Sequence, residues 1–551
     1  GHPELFPPDP DRADETPEWD LEELLAAQPT VLAEVHRRLR MQNQEETKFV
    51  WQTMEKGVRN NHAFEIGEEE ALRGGAVFFP RFVAHQLAND KPGFAKKPRG
   101  VDDGRASGVN RTVVCRTPVP ANTTDRFAQA FGEFMASAPC ASGFTLLKAD
   151  DDSAYRRHRA DNSAFRRVIV IRSPTGETKY FVMKKLTFGE SISVQYYCAL
   201  AEMRSVVTCR IIRIPVDHFV DDFIAGGYRD DHTLRHDLLF FMGKSLLGGH
   251  FNREKTESGP RLIYLGILVD VSRNDRIVFS VSAERRAKMV HYIKSHLRSN
   301  RLTPGDAKSL AGRLMFVQSA MWGCVGRAYA RPIFRRANEE NAAWLDYQIR
   351  EALKWWLDAF EDGQGWIRTI PVGKSGNVPP VLIWTDASPR GIGVVLKDER
   401  GRWFFVRIDF WKKDDATNIA ILEMDAICIA FRVFAPMIAG RRVIVFVDNN
   451  VVLGSVVRGF GKLEDGHGLT GAIIAVWHFL FRLATHVWFE RVPSKLNVAD
   501  DPSRKRDPKI PGVTLTRRRT NLYRVYNPSD FFSSVPVVTS LVTLHWVPCY
   551  L

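Results

Sequence analysis

The spacing of apolar residues changes along the chain between a helical and an alternating pattern. Over residues 19–58, apolar residues recur every three or four positions, which predicts two or three helices. Residues 144–150 (FTLLKAD) and the runs VIVIRSP and KYFVMKKL predict strands, and a Pro-Thr-Gly turn at 174–176 joins the last two. Helical spacing returns over residues 280–360, and strands alternate with helices over residues 381–500. The pattern therefore predicts several domains of the α+β and α/β classes.

Changes in composition predict where these regions separate. A Pro-rich acidic arm precedes the first helices, a Gly- and Pro-rich stretch (VGKSGNVPP) follows the long helical region, and a basic run precedes an apolar tail. We therefore expect a helical N-terminal extension, two mixed regions of strands and helices with a helical region between them, and a C-terminal tail. In that order of the chain, the predicted bounds are 1–78, 79–290, 291–375, 376–506 and 507–551.

Composition and charge narrow the class of protein. With 44% hydrophobic and 26% charged residues, the 551-residue chain is not wholly disordered or collagen-like. No apolar run is long enough to span a membrane. An excess of 77 Lys and Arg over 64 Asp and Glu favours a polyanionic partner. Because the seven cysteines include no CxxC pair, we expect no zinc ribbon or disulfide framework, and an intracellular, reducing compartment.

Acidic residues cluster where predicted strands end in the first mixed region. Asp221 and Asp222 lie between apolar residues in HFVDDF, and Asp150 ends the strand FTLLKAD. Neighbouring residues of a strand point to opposite faces, so both aspartates can reach one site only at a hairpin bend. A plain Asp-Asp hairpin turn is the alternative interpretation. If these carboxylates do meet, their mutual repulsion calls for a cation, and Mg²⁺ prefers such oxygen ligands.

The sequence around these acids resembles the reverse transcriptases. Their palm motif, an Asp followed after three residues by Ala and an aromatic residue, matches Asp150, Ala154 and Tyr155. Further matches follow the order of motifs in that family. They are Lys97-Pro98-Arg99-Gly100-Val101-Asp102-Asp103, Ser107-Gly108-Val109-Asn110, Leu186-Thr187-Phe188-Gly189 (with Thr187 in place of the usual Pro), Phe219-Val220-Asp221-Asp222, Lys255 and Tyr264-Leu265-Gly266.

The resemblance implies a right-hand polymerase of fingers and palm (79–290) and thumb (291–375) that copies RNA and then DNA into DNA. Asp150, Asp221 and Asp222 would be catalytic, with Asp150 and Asp221 as ligands of two Mg²⁺ ions, or of Mn²⁺. Tyr155 would be the steric gate that excludes ribonucleotides. The other residues that the resemblance assigns to nucleotide binding are Arg99, Phe188, Gly189 and Lys255.

A second set of carboxylates in residues 376–506 resembles the catalytic set of ribonuclease H. Its members lie in turn on a strand, a helix, a strand and the start of a C-terminal helix: Asp386, Glu423, Asp448 and Asp500. The resemblance implies a mixed sheet with flanking helices, in which these catalytic acids bind two Mg²⁺ ions and RNA is cut in an RNA–DNA hybrid. Asp501 is an alternative to Asp500, and residues 492–496 lack the His that many relatives carry.

The segment between the two sets completes the resemblance. Gly312-Arg313-Leu314, within LTPGDAKSLAGRLMFVQSA, resembles the thumb of retroelement polymerases, and WTDAS with RVPSKLNVADDPSR resembles DIRS-like retroelements of the tyrosine-recombinase class. The implied partners are an RNA template, a DNA primer and the RNA–DNA hybrid, with no membrane. The basic runs 504–506 and 517–519 would contact phosphates, or would simply be solvated.

A second hypothesis keeps the fold but not the activity. A retroelement-derived polymerase could serve as a structural RNA-binding subunit of a large ribonucleoprotein, such as an organellar ribosome or a spliceosome-like particle. Its partners would then be structural RNA and neighbouring proteins. The enzyme of a retroelement would lie in the cytoplasm or nucleus, whereas an organelle matrix is an option for the adopted subunit. The seven carboxylates favour the enzyme, because a scaffold does not need acids whose repulsion calls for metal.

Overall fold

The computed structural model divides the chain into two compact units, residues 1–134 with 140–264 and residues 135–139 with 265–551. The structure describes residues 14–87, 96–115, 124–137, 143–228, 237, 248–249, 251–319, 325–361, 367–372, 379–410, 418–461, 466–483 and 485–518. The predicted apolar tail, most of the acidic arm and most of the Gly- and Pro-rich stretch lie outside these residues.

Three helices open the first unit, as the apolar spacing predicts. They are α1 (Leu21–Ala26), α2 (Gln28–Met41) and α3 (Gln44–Arg59). Asp20 and Asn43 begin α1 and α3 with capping boxes, in which the side chain accepts the N–H of a Glu three residues later and that Glu accepts the cap N–H. These reciprocal bonds satisfy N–H groups that a helix end leaves without partners.

A five-stranded sheet lies between these helices. Its strands are β1 (Ala63–Ile66), β2 (Ala76–Leu87), β3 (Lys96–Asp102), β5 (Arg166–Arg172) and β6 (Thr178–Met183), in the order β1-β6-β5-β2-β3, and the short helix α4 (Glu68–Ala71) follows β1. Ile169 and Ile171 pack with α3 residues on one face, whereas Val168 and Val170 pack with α2 residues on the other. Burial on both faces explains the continuous apolar run of β5.

A four-stranded sheet carries the first acidic motif. Its order is β7-β8-β4-β9, from β4 (Phe144–Asp150), β7 (Val216–Phe219), β8 (Asp222–Tyr228) and β9 (Glu257–Gly259). The long helix α6 (Ser191–Ile212) packs on one face through Tyr197 and Ala201. Aromatic side chains of α5 (Thr124–Ser137) contact Phe144 and Tyr228. Strand β10 (Arg261–Tyr264) ends the unit.

The second unit begins with antiparallel strands and long helices. The strands are β11 (Ile267–Asp270), β12 (Arg276–Val281) and β13 (Ile367–Pro371), with β12 between the other two. The helices are α7 (Ala283–Ser299), α8 (Pro304–Ser319), α9 (Arg327–Ala337) and α10 (Tyr347–Glu361). Their buried residues, such as Ile293, Leu310 and Trp356, belong to the same apolar cluster as the sheet that follows.

That sheet has six strands and carries the second acidic set. Its order is β18-β17-β14-β15-β16-β19: β14 (Val381–Ser388), β15 (Gly391–Lys397), β16 (Trp403–Asp409), β17 (Arg442–Val447), β18 (His486–Arg491) and β19 (Leu515–Arg517). The strands β14, β15 and β16 form an antiparallel meander, and β17 lies parallel to β14. The helices are α11 (Ile419–Val433), α12 (Ala435–Ile438), α13 (Asn450–Arg458), α14 (Gly466–Arg482) and α15 (Asp500–Ser503).

The observed architecture is a mixed α/β fold with several sheets, as the sequence predicts. Strand β2 was not predicted, because Pro80 interrupts its apolar run. Part of the basic run 517–519 lies at the edge of the sheet, since β19 lies parallel to β16 and the Arg518 N–H donates to the Phe405 carbonyl, while the side chains of Arg517 and Arg518 are exposed. None of the helices that the structure describes is both long and apolar enough to cross a membrane.

Candidate functional site

Strand register brings the first three acids to one end of the four-stranded sheet. Asp150, the last residue of β4, is paired directly with Asp222, the first residue of β8. Asp221 occupies the turn before β8, and its carbonyl accepts the N–H of Asp151 at 3.0 Å. The two adjacent aspartates thus lie at a hairpin bend, the one arrangement in which both can face a shared site.

The hairpin that holds these acids has an unusual backbone. Val220, between β7 and Asp221, has a φ of +54°, and β-branched residues rarely adopt this left-handed conformation. Pairing of Phe219 with Asp222 across the hairpin fixes the turn. Strained backbone of this kind concentrates at functional sites, where surrounding structure holds a side chain in a required position.

Burial and mutual repulsion raise the proton affinity of the paired acids. The pKa of Asp221 is raised to about 6, first by burial and then by the charges of Asp222 and Asp150. Burial also raises the pKa of Asp222, against the opposing charge of Lys148. A cation placed among these carboxylates would lower both pKa values, because an opposite charge favours the ionised form.

The three consecutive aspartates 150–152 have different environments. The Asp150 side chain is 29% exposed, and its Oδ2 accepts a 2.9 Å hydrogen bond from Lys255 Nζ. Asp151 is fully buried and bonded to Arg204 and Tyr197. The Asp152 side chain is 47% exposed, and its Oδ2 lies 4.0 Å from Nη2 of Arg157. Asp150 alone of the three both pairs with Asp222 and is accessible from solvent.

Aromatic rings line the approach to these acids. The Tyr155 ring packs edge-on against Phe188, with 4.8 Å between centroids, and against Tyr197, with 5.5 Å. Burial and then the charge of Asp221 raise the pKa of Tyr155. Phe188 is 39% exposed, and the guanidinium carbon of Arg156 lies 5.4 Å from the centroid of its ring. These two predicted nucleotide-binding residues therefore form one aromatic surface.

The loop at Gly189 interlocks with the segment 102–110. Gly189 has a φ of +116°, and a Cβ there would lie 1.8 Å from the Asp102 carbonyl oxygen, so only glycine fits. Asn110 Nδ2 donates to the Gly189 carbonyl at 2.9 Å. Thr187, which departs from the family motif, donates to Glu190 Oε1 at 2.6 Å. The substitution of Thr for Pro thus supplies a buried hydrogen bond.

Asp102 anchors this loop by a buried double ion pair that the sequence did not predict. Its carboxylate is fully buried and accepts 2.6 Å bonds from Arg81 Nε and Arg156 Nη2. Arg99, three residues earlier on β3, is exposed. The hydrogen bond to Asp150 raises the pKa of Lys255, and the positive charge of Arg99 opposes this only weakly.

Strand and helix positions also bring the second acidic set together. Asp386 lies on β14 opposite Gly393, and Asp448 directly follows the neighbouring parallel strand β17. Glu423 lies on α11, which packs against this sheet, and Asp500 begins α15. The four acids thus lie on a strand, on a helix, one residue past a strand and at the start of a short helix.

The acids of this second set act on one another electrostatically. Burial, and then the charges of Asp448 and Asp500, raise the pKa of Asp386 to about 7 against hydrogen bonding from Ser503. Burial, and then Asp448 and Asp386, raise the pKa of Glu423 to about 7 against a bond from Asn449. In the described part of the chain, Glu423 Oε2 is buried and has no hydrogen-bond partner. Such a buried, unpartnered oxygen suits a cation.

The position of Asp500 depends on residues outside the acidic set. A Cβ on Gly393 would lie 2.3 Å from the Ala499 carbonyl, so α15 rests on the bare backbone of β15. Asn497 Nδ2 donates to the Thr385 carbonyl at 3.0 Å, and Ser388 Oγ donates to the Ser503 carbonyl at 2.7 Å. Sequence reasoning missed these supports, although the Gly-x-Gly of β15 was the available signal.

Asp500 and Asp501 have different partners. Asp500 contributes to the raised pKa of Asp386 and accepts from Arg504 Nε at 2.8 Å. Asp501 pairs with Arg506 at 3.2 Å. Of the two, Asp500 is therefore the acid whose charge acts on Asp386.

Neither set forms a ready-made metal cluster. Among the residues that the structure describes, no three Asp, Glu, His or Cys side chains are gathered closely enough to bind an ion as they stand. In both sets the carboxylates nevertheless act on one another electrostatically. Burial and the charges of neighbouring acids raise the pKa of Asp221 to about 6 and those of Asp386 and Glu423 to about 7. The donor types fit Mg²⁺ or Mn²⁺, which prefer carboxylate oxygens.

Comparisons with known proteins give distant structural similarity only. No family model and no curated protein matches the sequence. A foamy viral protease–reverse transcriptase dRH with double-stranded DNA is 14% identical over 82% of this chain and 70% of its own, with a TM-score of 0.42. The foamy viral protease–reverse transcriptase with an RNA/DNA hybrid is 14% identical over 87% of this chain and 56% of its own, with a TM-score of 0.41. The same kind of protein with double-stranded DNA is 12% identical over 82% of this chain and 84% of its own, also with a TM-score of 0.41. The carboxylate geometry, rather than these similarities, carries the functional conclusion.

Proposed function

We propose that the chain is a nucleic-acid enzyme with two centres, an RNA-directed DNA polymerase and a ribonuclease H, from a DIRS-like retroelement. One observation carries the polymerase: β4–β8 register sets Asp150 opposite Asp222, with Asp221 in the strained turn beside them. Three acids from segments some 70 residues apart in sequence share one sheet end, where a polymerase needs them. The layout would be fingers, palm and thumb followed by a ribonuclease H-like domain.

The proposed polymerase centre assigns each residue a separate task. Divalent cations held by Asp150 and Asp221 would promote attack of a primer 3′-hydroxyl on the α-phosphorus of a deoxynucleoside triphosphate, with pyrophosphate as the leaving group. Arg99 and Lys255 would hold phosphates, and Lys255 would have to leave Asp150 for this purpose. The Tyr155 ring would restrict the space beside the sugar, and Phe188 and Gly189 would line the base side of the pocket.

The proposed nuclease centre uses the second acidic set. Asp386, Glu423, Asp448 and Asp500 would hold the cations, and water activated there would cut the RNA strand of an RNA–DNA hybrid. The raised pKa values of Asp386 and Glu423, both about 7, support this proposal, because burial and then the charges of the other acids disfavour the ionised forms, and a bound cation would favour them.

Two assays test the two centres separately. Wild-type protein should extend oligo(dT) on poly(rA) with dTTP and Mg²⁺, whereas Asp221→Asn/Asp222→Asn should not. Equal incorporation by the two proteins, or none by the wild type, contradicts the polymerase. Asp386→Asn should abolish cleavage of a labelled RNA–DNA hybrid and leave primer extension intact. Persistent cleavage, or joint loss of both activities, contradicts the division into two centres.

The Asp150–Lys255 ion pair favours one alternative, a polymerase fold that serves as a structural RNA-binding subunit of a ribonucleoprotein. A lysine 2.9 Å from the acid already supplies a positive charge, so the acid end of the sheet is partly neutralised without metal. In that case the protein would sediment with a large RNA–protein particle in stoichiometric amount. Primer extension would then be absent, and Lys255→Ala would weaken assembly rather than catalysis.

A further inference from the structure

The buried aspartate in the middle of the acidic triplet has no role in the function proposed so far. Asp151 Oδ2 accepts a 2.6 Å bond from Arg204 Nη1 and a 2.8 Å bond from the Tyr197 hydroxyl. The side chains of Asp151 and Arg204 are 0% and 2% exposed. Both partners lie on α6, beneath the sheet end that holds the acids. An ion pair is thus fully enclosed in an apolar cluster, directly next to a proposed metal ligand.

Stability alone is a poor reason for such a pair. Removing two charges from water costs several kcal/mol per ion, and apolar residues of similar volume often give an equally stable core. An ion pair with defined hydrogen bonds instead fixes the orientation of its side chains, because the Asp151 carboxylate must bond to both the Arg204 guanidinium and the Tyr197 hydroxyl. The geometry around Asp151 shows which parts of the site depend on that direction.

Two chains of contact lead from Asp151 into the proposed polymerase site. The N–H of Asp151 donates to the Asp221 carbonyl, so hydrogen bonds hold Asp151 through both its backbone and its side chain. On the other side Tyr197, fixed by its bond to Asp151, packs edge-on against Tyr155 with a 70° angle between the rings. Between them Ser153, with a φ of +59°, reverses the chain so that Tyr155 returns over Tyr197.

We propose that Asp151, Arg204 and Tyr197 form a positioning network that fixes the Tyr155 ring and thereby sets the preference for deoxyribonucleotides over ribonucleotides. The inference rests on the proposed polymerase function and extends it. The Tyr155 ring is held by packing against Tyr197 and Phe188. Phe188 is 39% exposed and Tyr197 is buried, so Tyr197 supports the Tyr155 ring from the interior of the protein.

The test is the ratio of kcat/KM for dTTP to kcat/KM for UTP on poly(rA)–oligo(dT) with Mg²⁺. Tyr197→Phe removes one hydroxyl and retains the ring. We expect it to lower the ratio by about fivefold to 100-fold, since displacement of about an ångström costs up to about 100-fold in a well-oriented site. Tyr196→Phe, at an exposed position one residue earlier, is the matched control and should keep the wild-type ratio.

A double-mutant cycle separates positioning from general weakening. In a Tyr155→Ala background the gate is already absent, so Tyr197→Phe should no longer change the ratio. Asp151→Leu/Arg204→Met replaces the ion pair by apolar volume, and we expect a folded protein with the lowered ratio. A folded Tyr197→Phe or Asp151→Leu/Arg204→Met protein with an unchanged ratio overturns the network. Absence of dTTP incorporation by the wild type overturns the polymerase itself, and the network with it.

Discussion

Asp386→Asn should make the second unit more stable at neutral and alkaline pH, although it removes a proposed catalytic residue. The folded protein holds Asp386 with a pKa of about 7, against an ordinary value of 3.8, because burial and neighbouring acids oppose its charge. The folded state therefore binds more protons than the unfolded state between these two values. Stability is lost as the pH rises through this window, and above about pH 7 the loss is complete.

The magnitude follows from the same two values. A tenfold change in proton affinity is worth about 1.4 kcal/mol, so the change from 3.8 to about 7 corresponds to about 4 kcal/mol. Asn also replaces the charge-assisted hydrogen bond that the carboxylate makes with Ser503 by a weaker neutral one, which costs about 1–2 kcal/mol. We expect a net gain of about 2 kcal/mol at pH 8, or roughly 3 °C in the melting temperature of a unit of this size.

The assay is thermal unfolding at pH 8 and pH 5 in EDTA. The gain from Asp386→Asn should be less than half as large at pH 5, where the folded wild type is protonated at this position. Asp358→Asn, on the exposed side of α10, is the control and should change the melting temperature little at either pH. An unchanged or lower melting temperature for Asp386→Asn at pH 8 would refute the reasoning that this carboxylate is held in a repelling, buried environment.

Three further changes test the supports of the two sites. Asp102→Asn should lower the free energy of unfolding in a urea titration by about 3–5 kcal/mol, because it leaves buried guanidinium groups without their counter-charge. The control Asp152→Asn, whose side chain is 47% exposed, should lower it by less than about 1 kcal/mol. Gly189→Ala should lower the melting temperature, since its Cβ meets the Asp102 carbonyl, whereas Gly74→Ala meets nothing within 4 Å and should not. Mg²⁺ at millimolar concentration should raise the wild-type melting temperature at pH 8, and Glu423→Gln should reduce that rise; an equal rise would exclude Glu423 as a ligand.

Periodicity in the sequence predicts much of the secondary structure, because burial decides these elements locally. The predicted strand FTLLKAD coincides with β4, and the predicted turn at 174–176 joins β5 and β6. The mixed α/β architecture is confirmed. The assignment of fingers, palm, thumb and ribonuclease H stays a prediction, as do the predicted domain bounds.

The supports of the sites could not be predicted, because they join residues distant in sequence. Arg81 and Arg156 meet at Asp102 only after three segments have folded together. Arg204 reaches Asp151 across 53 residues. Periodicity reports which face of an element is apolar, and it gives no information about which charges are enclosed behind that face.

The contact between α15 and the backbone of β15 has a practical consequence. Asp500 is carried by a four-residue helix that lies against Gly393, so its distance from Asp386 is set by the absence of a side chain on another strand. Gly393→Ala would displace the last acid while every charge in the protein remains. Such a variant would allow the effect of carboxylate position on hybrid cleavage to be measured independently of carboxylate number.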